Sequence, residues 1–194
     1  MELQDFIISI TPISTEKANL IASYFNEEHF EKDMLLIQEG RVSRKAYYVQ
    51  SGIIRCYLYN NEGDEITTRF FSAPDFLNDH LSFFKQKPSE EFYQTLTDCR
   101  MWTINFDDVQ HCFHEIPEFR EWGRMLLTLN YVNMHSRMVS FHKHDATERY
   151  LHLLEQRPEI VREVPLKYVA SYLGITKHSL SRIRKEILTS EKLP

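Results

Sequence analysis

The chain has 194 residues, of which 42% are hydrophobic, and a formal net charge of −5. This length fits one large domain or a medium domain followed by a small one, with enough apolar residues for a core. The N-terminal residues lack the pattern of a signal peptide, and no window approaches the roughly 18 apolar residues of a membrane span, so we expect a cytoplasmic protein without a membrane partner. Three widely spaced cysteines, Cys56, Cys99 and Cys112, indicate reduced thiols rather than disulfides.

The first predicted element is a helix over residues 15–30. Apolar side chains recur there at helical spacing, namely Ala18, Leu20, Ile21, Tyr24 and Phe25. From residue 32 to 106 the chain changes to short runs rich in β-branched and aromatic residues, separated by glycines and Pro74. The segment Asn60–Asp64 has the composition of a hairpin turn. The pattern predicts an antiparallel β-roll or jelly roll.

A long helix is predicted next, over residues 116–141. Its apolar face is formed by Phe119, Trp122, Leu126, Leu129, Val132 or Asn133, and Ser136, with Met125 and Met138 beside it. The helix either packs only on its own β-domain or also pairs with its copy in a homodimer, and its length favours the second alternative. Asp145 and Glu148 have capping-box spacing, so a new helix is expected to start there and to stop before Pro158.

The C-terminal segment has the pattern of a helix-turn-helix. Counted from Leu166, small Ala170 is fifth and Gly174 is ninth, where a close crossing and a left-handed turn are needed. The apolar positions are Val169, Leu173, Ile175, Leu180 and Ile183. Residues 162–194 hold seven lysines and arginines against three glutamates, a net of +4, which leaves −9 for the remainder. Positive charge is therefore concentrated where phosphates would be met, and the segment predicts binding to double-stranded DNA.

Outward positions of the second helix supply the candidate DNA contacts. Lys177, His178 and Arg182 are predicted to meet base edges, and arginine can bind guanine through two hydrogen bonds. Ser179, Ser181 and Lys185 are predicted to meet phosphates.

In this order the pieces resemble the CRP/FNR superfamily of bacterial transcription regulators. The resemblance is carried by LIQEG at 36–40, YYVQSGIIR at 47–55, EG at 62–63, PDF at 74–76, and YLGI with LSRI at 172–175 and 180–183. It implies an α+β protein with a cyclic-nucleotide-binding-like β-roll over residues 1–115, a dimerisation helix over 116–141 and a DNA-binding domain over 145–194. It also implies RNA polymerase as a partner. Few residues follow the second helix of the motif, so we expect the family's small β-wing to be short or absent.

The resemblance also locates an effector pocket. Family members that bind cyclic AMP offer a Gly-Glu pair and an Arg-Ser pair, whose positions fall here on Asn78-Asp79 and on Glu90-Glu91. Two carboxylates repel a cyclic phosphate, so we expect a degenerate pocket that does not bind cyclic AMP in the usual way. The alternatives are a variant pocket charged by Arg69, Lys85 or Lys87, a different unknown effector, and no effector.

No cofactor or metal is expected. An iron–sulfur cluster needs about four cysteine ligands, and haem would need an axial ligand such as His80. The rival from another class is a small metal-dependent β-barrel enzyme using His142 and His144 or His111 and His114, but these pairs lack a carboxylate-rich second half, so the chain is predicted not to be an enzyme. A further alternative is a module whose tail binds protein, which weak salt dependence would reveal.

Overall fold

The computed structural model describes residues 1–190 and confirms the predicted α+β class. Eight strands form two four-stranded sheets, in the orders β1-β8-β3-β6 and β2-β7-β4-β5, and every pairing is antiparallel. The strands are β1 (Asn26–Phe30), β2 (Leu35–Ile37), β3 (Lys45–Ser51), β4 (Ile53–Tyr59), β5 (Glu65–Ser72), β6 (Asp75–Leu77), β7 (Phe92–Thr95) and β8 (Cys99–Asn105). We refer to these eight strands as the β-roll.

The predicted hairpin between β4 and β5 is confirmed. Asn60 Oδ1 accepts hydrogen bonds from the backbone N–H groups of Glu62 and Asp64 at 3.0 and 2.8 Å. Gly63 has a φ of 85°, a left-handed conformation that glycine adopts without a steric penalty.

Alternation along the strands divides the apolar residues between two cores. Leu77 of β6 lies inside the roll with a cluster that includes Val49, Ile54, Tyr93 and Met101. Phe76, one residue earlier, lies on the outer face and belongs to a second cluster shared with the helices.

Four short helices cover this outer face or join its strands: α1 (Leu3–Ile10), α2 (Thr15–Ala22), α3 (His80–Lys85) and α4 (Phe106–Glu115). The predicted opening helix over residues 15–30 is correct only to Ala22. Residues 26–30 form β1 instead, because they pair along their whole length with β8. Helix α1 was not predicted; its buried Leu3, Phe6 and Ile7 pack on the outer core.

The long helix α5 (Pro117–Lys143) is 27 residues long. Its predicted apolar stripe divides into two parts. Phe119 and Trp122 are buried against the β-roll, whereas Leu129, Val132 and Met138 are exposed. The first turns therefore belong to the roll's outer core, and the later turns extend beyond it.

Four helices complete the described chain: α6 (Ala146–Gln156), α7 (Pro158–Glu163), α8 (Leu166–Tyr172) and α9 (Lys177–Ser190). The predicted capping box is present, since Asp145 accepts from the backbone of Glu148 at 2.9 Å and the Glu148 side chain accepts from the backbone of Asp145 at 2.9 Å. Helix α7 was not predicted. The expected short or absent wing would follow α9 at residues 191–194, which lie outside the described residues.

Candidate nucleic-acid interface and effector pocket

Helices α8 and α9 form the helix-turn-helix pair that the sequence predicts. Gly174 lies in the turn with a φ of 68°, and Ile175 N–H donates to Ala170 O at 3.0 Å. Leu180 and Ile183 of α9 are buried in one cluster with Leu173. These contacts fix which face of α9 points away from the protein.

The outward face of α9 carries five of the six predicted DNA-contacting residues in exposed positions: Lys177, His178, Ser181, Arg182 and Lys185. The sixth, Ser179, is half-buried, and its backbone N–H donates to Thr176 Oγ1 at 3.1 Å, which caps the helix. Ser181 Oγ donates to Lys177 O at 3.0 Å. We refer to the exposed Lys177, His178, Arg182 and Lys185 as the basic face.

The helix pair is attached to the edge of the β-roll. Strand β5 lies at the edge of its sheet, and Ser171 of α8 accepts from Thr67 N–H at 2.9 Å and donates to Glu65 O at 3.2 Å. Arg157 donates to Phe70 O at 2.7 Å and to Asp75 Oδ2 at 3.2 Å. The Ser171 side chain thus forms hydrogen bonds with backbone groups at the edge of the sheet, which would otherwise need water or another strand.

Arg55 lies at the centre of this attachment and is buried. Its guanidinium group is 3.6 Å from the ring centroid of Tyr168 on α8 and 3.9 Å from that of Tyr57. It donates to Glu65 Oε2 at 2.7 Å and to Gln94 Oε1 at 3.1 Å. Arg55 is a functional residue that was not predicted; the available signal was a single charge within the apolar run of β4.

The end of α5 also holds the helix pair. Arg137 of α5 donates to Tyr172 O at 3.0 Å and stacks on the Tyr172 ring at 3.6 Å. Arg149 donates to Leu173 O at 2.9 Å and to His144 O at 2.6 Å. The orientation of α9 therefore depends on both the roll edge and the long helix.

The second half of α5 has an exposed apolar face. Its exposed large side chains are Leu127, Leu129, Tyr131, Val132, Met134, Met138, Val139 and Phe141. Singly exposed apolar residues are common on protein surfaces, but a group on one helix marks an interaction surface.

The predicted effector-pocket residues are only partly brought together. Asp79 is buried and caps α3, accepting from Ser82 N–H at 3.0 Å and from Ser89 Oγ at 2.5 Å. Asn78 is buried beside it, and its carbonyl oxygen is 3.5 Å from Tyr93 Oη. Glu90 is exposed and takes no part in this arrangement.

Glu91 is paired rather than presented to a ligand. Its carboxylate accepts from Arg69 Nη2 at 3.1 Å and from Thr68 Oγ1 at 2.9 Å. Arg69 also donates to Tyr93 Oη. We call Asp79, Ser89, Glu91, Arg69 and Tyr93 the interior network. Its cation already has a carboxylate partner, and Lys85 and Lys87 are exposed at the surface.

The candidate metal ligands are dispersed. Within residues 1–190, no group of three or more His, Cys, Asp or Glu side chains is placed to hold a metal ion. The three cysteines are free and buried, and burial raises the pKa of the Cys56 thiol to about 12. His144 Nδ1 lies 3.1 Å from Ser140 Oγ, and the His111 ring lies against Tyr24. No helix in the described part of the chain is both long and apolar enough to cross a membrane.

Comparisons with known proteins agree with this architecture. Residues 27–115 match the family described as "Cyclic nucleotide-binding domain". The "Fumarate and nitrate reduction regulatory protein" of Yersinia pestis is 27% identical over 164 residues, covering 79% of this chain and 65% of that protein. The "Anaerobic regulatory protein" of Haemophilus influenzae is 25% identical over 169 residues, covering 79% of this chain and 63% of that protein. The chain thus spans slightly less than two thirds of the length of these relatives. Both names are those of regulatory proteins and not of enzymes, in line with the prediction from the sequence.

Solved structures show the same fold. CLP of Xanthomonas campestris, described as a c-di-GMP responsive global regulator, aligns with a TM-score of 0.72 and 17% identity over 93% of this chain and 95% of its own. FixK2 of Bradyrhizobium japonicum aligns with a TM-score of 0.71 and 17% identity over 88% of this chain and 87% of its own.

Proposed function

We propose that the chain is a member of the CRP/FNR superfamily and a sequence-specific DNA-binding transcription regulator that acts as a homodimer. The observation that carries this proposal is the basic face of α9, held outward on a buried helix-turn-helix core in a chain of net charge −5. Cations exposed on an otherwise acidic protein favour a polyanionic partner.

Dimerisation through α5 completes the proposed mechanism. The exposed apolar face of α5 would be covered by the same face of a second copy, since a twofold dimer uses one surface twice. Two recognition helices would then enter successive major grooves about 34 Å apart on a near-palindromic site. An interaction with RNA polymerase stays a prediction from the resemblance to the family.

The effector pocket is proposed to be closed to cyclic nucleotides in the usual mode. The interior network supports this, because Arg69 is paired with Glu91 and Asp79 accepts from two donors. An incoming cyclic phosphate would have to displace a carboxylate from the cation it needs.

The test selects the preferred DNA sequence from a randomised duplex library and then measures its affinity for the full chain at several salt concentrations. We expect a near-palindromic site and a steep loss of affinity with salt. Each neutralised phosphate releases counterions and contributes about −0.9 to the slope of the logarithm of the binding constant against the logarithm of the salt concentration. Salt-independent binding, or selection that returns no sequence preference, would contradict the proposal.

Two variants on α9 separate base from phosphate contacts. Arg182→Ala is expected to relax the preference at one base pair in each half-site, at a cost of about 1–3 kcal/mol. Lys185→Ala is the matched control and should weaken all sequences equally while lowering the salt slope by about one. If Arg182→Ala also weakened every sequence equally, Arg182 would be a phosphate contact.

A further inference from the structure

A recess lies at one edge of the β-roll, along the loop that joins β2 to β3. Its volume is about 260 Å³, near the lower end of the range for pockets that bind small molecules. Ten residues of the described chain line it, all from β2, the loop and the start of β3, and none of these ten belongs to the interior network. We call it the loop recess. It is therefore separate from the predicted effector pocket.

Three cations line the loop recess, and no carboxylate of the described chain does. They are Arg41, Arg44 and Lys45, whereas the chain before the helix-turn-helix segment has a net charge of −9. Lys45 Nζ lies 2.6 Å from Glu28 Oε1, so its charge is already compensated. Arg41 and Arg44 are exposed, and in the described part of the chain neither guanidinium group has an ion pair or a hydrogen bond. Two arginines at this recess thus remain available to an anion.

The loop that carries both arginines is held in place by backbone hydrogen bonds on each side. Ser89 N–H donates to Arg41 O at 2.9 Å, and Phe106 N–H donates to Arg44 O at 2.8 Å. Between the two arginines, Ser43 N–H donates to Ser82 Oγ at 2.8 Å. A backbone that is already ordered loses less conformational entropy when a ligand binds. The two guanidinium groups therefore extend from fixed positions of the chain.

We propose that the loop recess binds a small oxyanion with two or more negative charges, such as a diphosphate or a polycarboxylate. A guanidinium group binds phosphate and carboxylate oxygens through pairs of parallel hydrogen bonds. Arg41 and Arg44 can each bind one charged group, so a ligand with two such groups gains more than a ligand with one. Leu36, Val42 and Tyr47 also line the recess and offer apolar contact to the rest of the molecule.

The position of the loop recess separates its ligand from DNA. Strand β2 lies at one edge of its sheet, and β5, which holds the helix pair through Ser171, lies at the other edge. Three strand spacings of about 4.8 Å each separate the two edges. The anion in the recess is therefore a small molecule and not a phosphate of the duplex proposed to bind α9. This inference rests on residues of the loop and goes beyond the proposed function.

The experiment titrates the full chain with pyrophosphate, citrate and acetate at constant ionic strength and follows the backbone amide signals of residues 41–45 by NMR. We expect saturable shifts with pyrophosphate or citrate, and binding of acetate at least about tenfold weaker. Arg44→Gln removes one guanidinium group and should weaken binding of the polyanion at least about tenfold. Arg182→Gln is the matched control, because it removes an exposed arginine of α9 outside the recess, and it should leave this affinity unchanged.

The two polyanions distinguish the sources of the ligand. Tighter binding of pyrophosphate supports a phosphorylated molecule, and tighter binding of citrate supports a polycarboxylate. The proposal is wrong if neither polyanion moves these amide signals, if acetate binds as tightly, or if Arg182→Gln weakens binding as much as Arg44→Gln. If circular dichroism shows that Arg44→Gln is unfolded, Arg41→Gln replaces it with the same expected loss. Because the readout does not use DNA, failure here leaves the proposed DNA binding intact, and the reverse also holds.

Discussion

The β-roll and helix α9 use arginine in opposite ways. The Arg55 side chain is 1% exposed, lies between two tyrosine rings and is ion-paired with Glu65 at 2.7 Å. The Arg182 side chain is 72% exposed and its ion pair with Glu186 is long, at 3.7 Å. The contacts of the Arg55 cation lie within the fold, whereas the Arg182 cation is available to an external anion.

The same contrast explains why the two candidate sites differ in ligand. Charged groups of the roll interior are paired with each other, as Arg69 is with Glu91, so an anion gains little by entering. On α9 the cations face solvent, where a phosphate replaces only water and counterions. The proposed function therefore combines DNA binding by α9 with a roll interior that does not bind a cyclic nucleotide.

Replacing Arg55 tests the contribution of the buried, paired arginine to stability, and it has the largest expected effect. Arg55→Ala removes a buried cation, its ion pair and its contacts with Tyr57 and Tyr168. We expect a loss of about 3–4 kcal/mol in the free energy of unfolding, the low end for a buried pair because Glu65 is partly exposed. Urea denaturation provides the measurement.

Arg100→Ala is the matched control within the same roll. Arg100 pairs with Glu27, but its side chain is 44% exposed and the pair is screened by solvent, so the expected loss of stability is much smaller than for Arg55→Ala. If both variants lost the same free energy, the buried position of Arg55 would not determine its contribution.

Two substitutions in and beside the interior network test whether a cation without a carboxylate partner would let it bind a phosphate. The natural chain is expected to give no saturable heat with cyclic AMP or cyclic GMP in isothermal titration. Glu90→Arg with Glu91→Ser removes the carboxylate that pairs with Arg69 and adds a cation. We expect cyclic-nucleotide affinity to rise at least about 100-fold, equivalent to about 2.8 kcal/mol.

Glu62→Arg is the control for added charge alone, since it lies in the exposed hairpin turn. It should leave cyclic-nucleotide binding absent. Micromolar binding by the natural chain would show that the interior network opens to phosphate, and the pocket would then be a variant nucleotide site.

Local patterns were enough to predict most of the fold. The β-roll, the long helix, the capping box at Asp145 and the helix-turn-helix all follow from spacing, turn residues and caps that act within a few positions. Strand β1 was missed because residues 26–30 depend on pairing with β8, some 70 residues later in the chain. Helices α1 and α7 were missed because they are only 8 and 6 residues long and neither has a side-chain N-cap hydrogen bond, so little local signal marks where they start.

The candidate sites also differ in how much of each could be predicted from local patterns. The outward residues of α9 follow from helical periodicity, and the structure finds five of six exposed. The position of Glu91 was identified, but its pairing with Arg69 was not, because strand pairing between β4, β5 and β7 brings the two side chains together.

The expected effect of His80 is smaller than those of Arg55 and of the interior network, and it concerns the dependence of stability on pH. Burial lowers its pKa to about 4, below the value of about 6.5 for an unfolded chain. Between these values the unfolded ring binds a proton and the folded ring does not, so stability is complete above pH 6.5 and declines as pH falls toward 4. The pKa difference alone corresponds to a change in the free energy of unfolding of about 3 kcal/mol, and partial exposure of the ring reduces this to about 1–2 kcal/mol.

The measurement compares urea denaturation of the natural chain and His80→Gln at pH 7 and pH 4.5. The variant lacks the imidazole and should therefore lose less stability on acidification than the natural chain, and equal losses would mean that the folded protein accepts a charged His80.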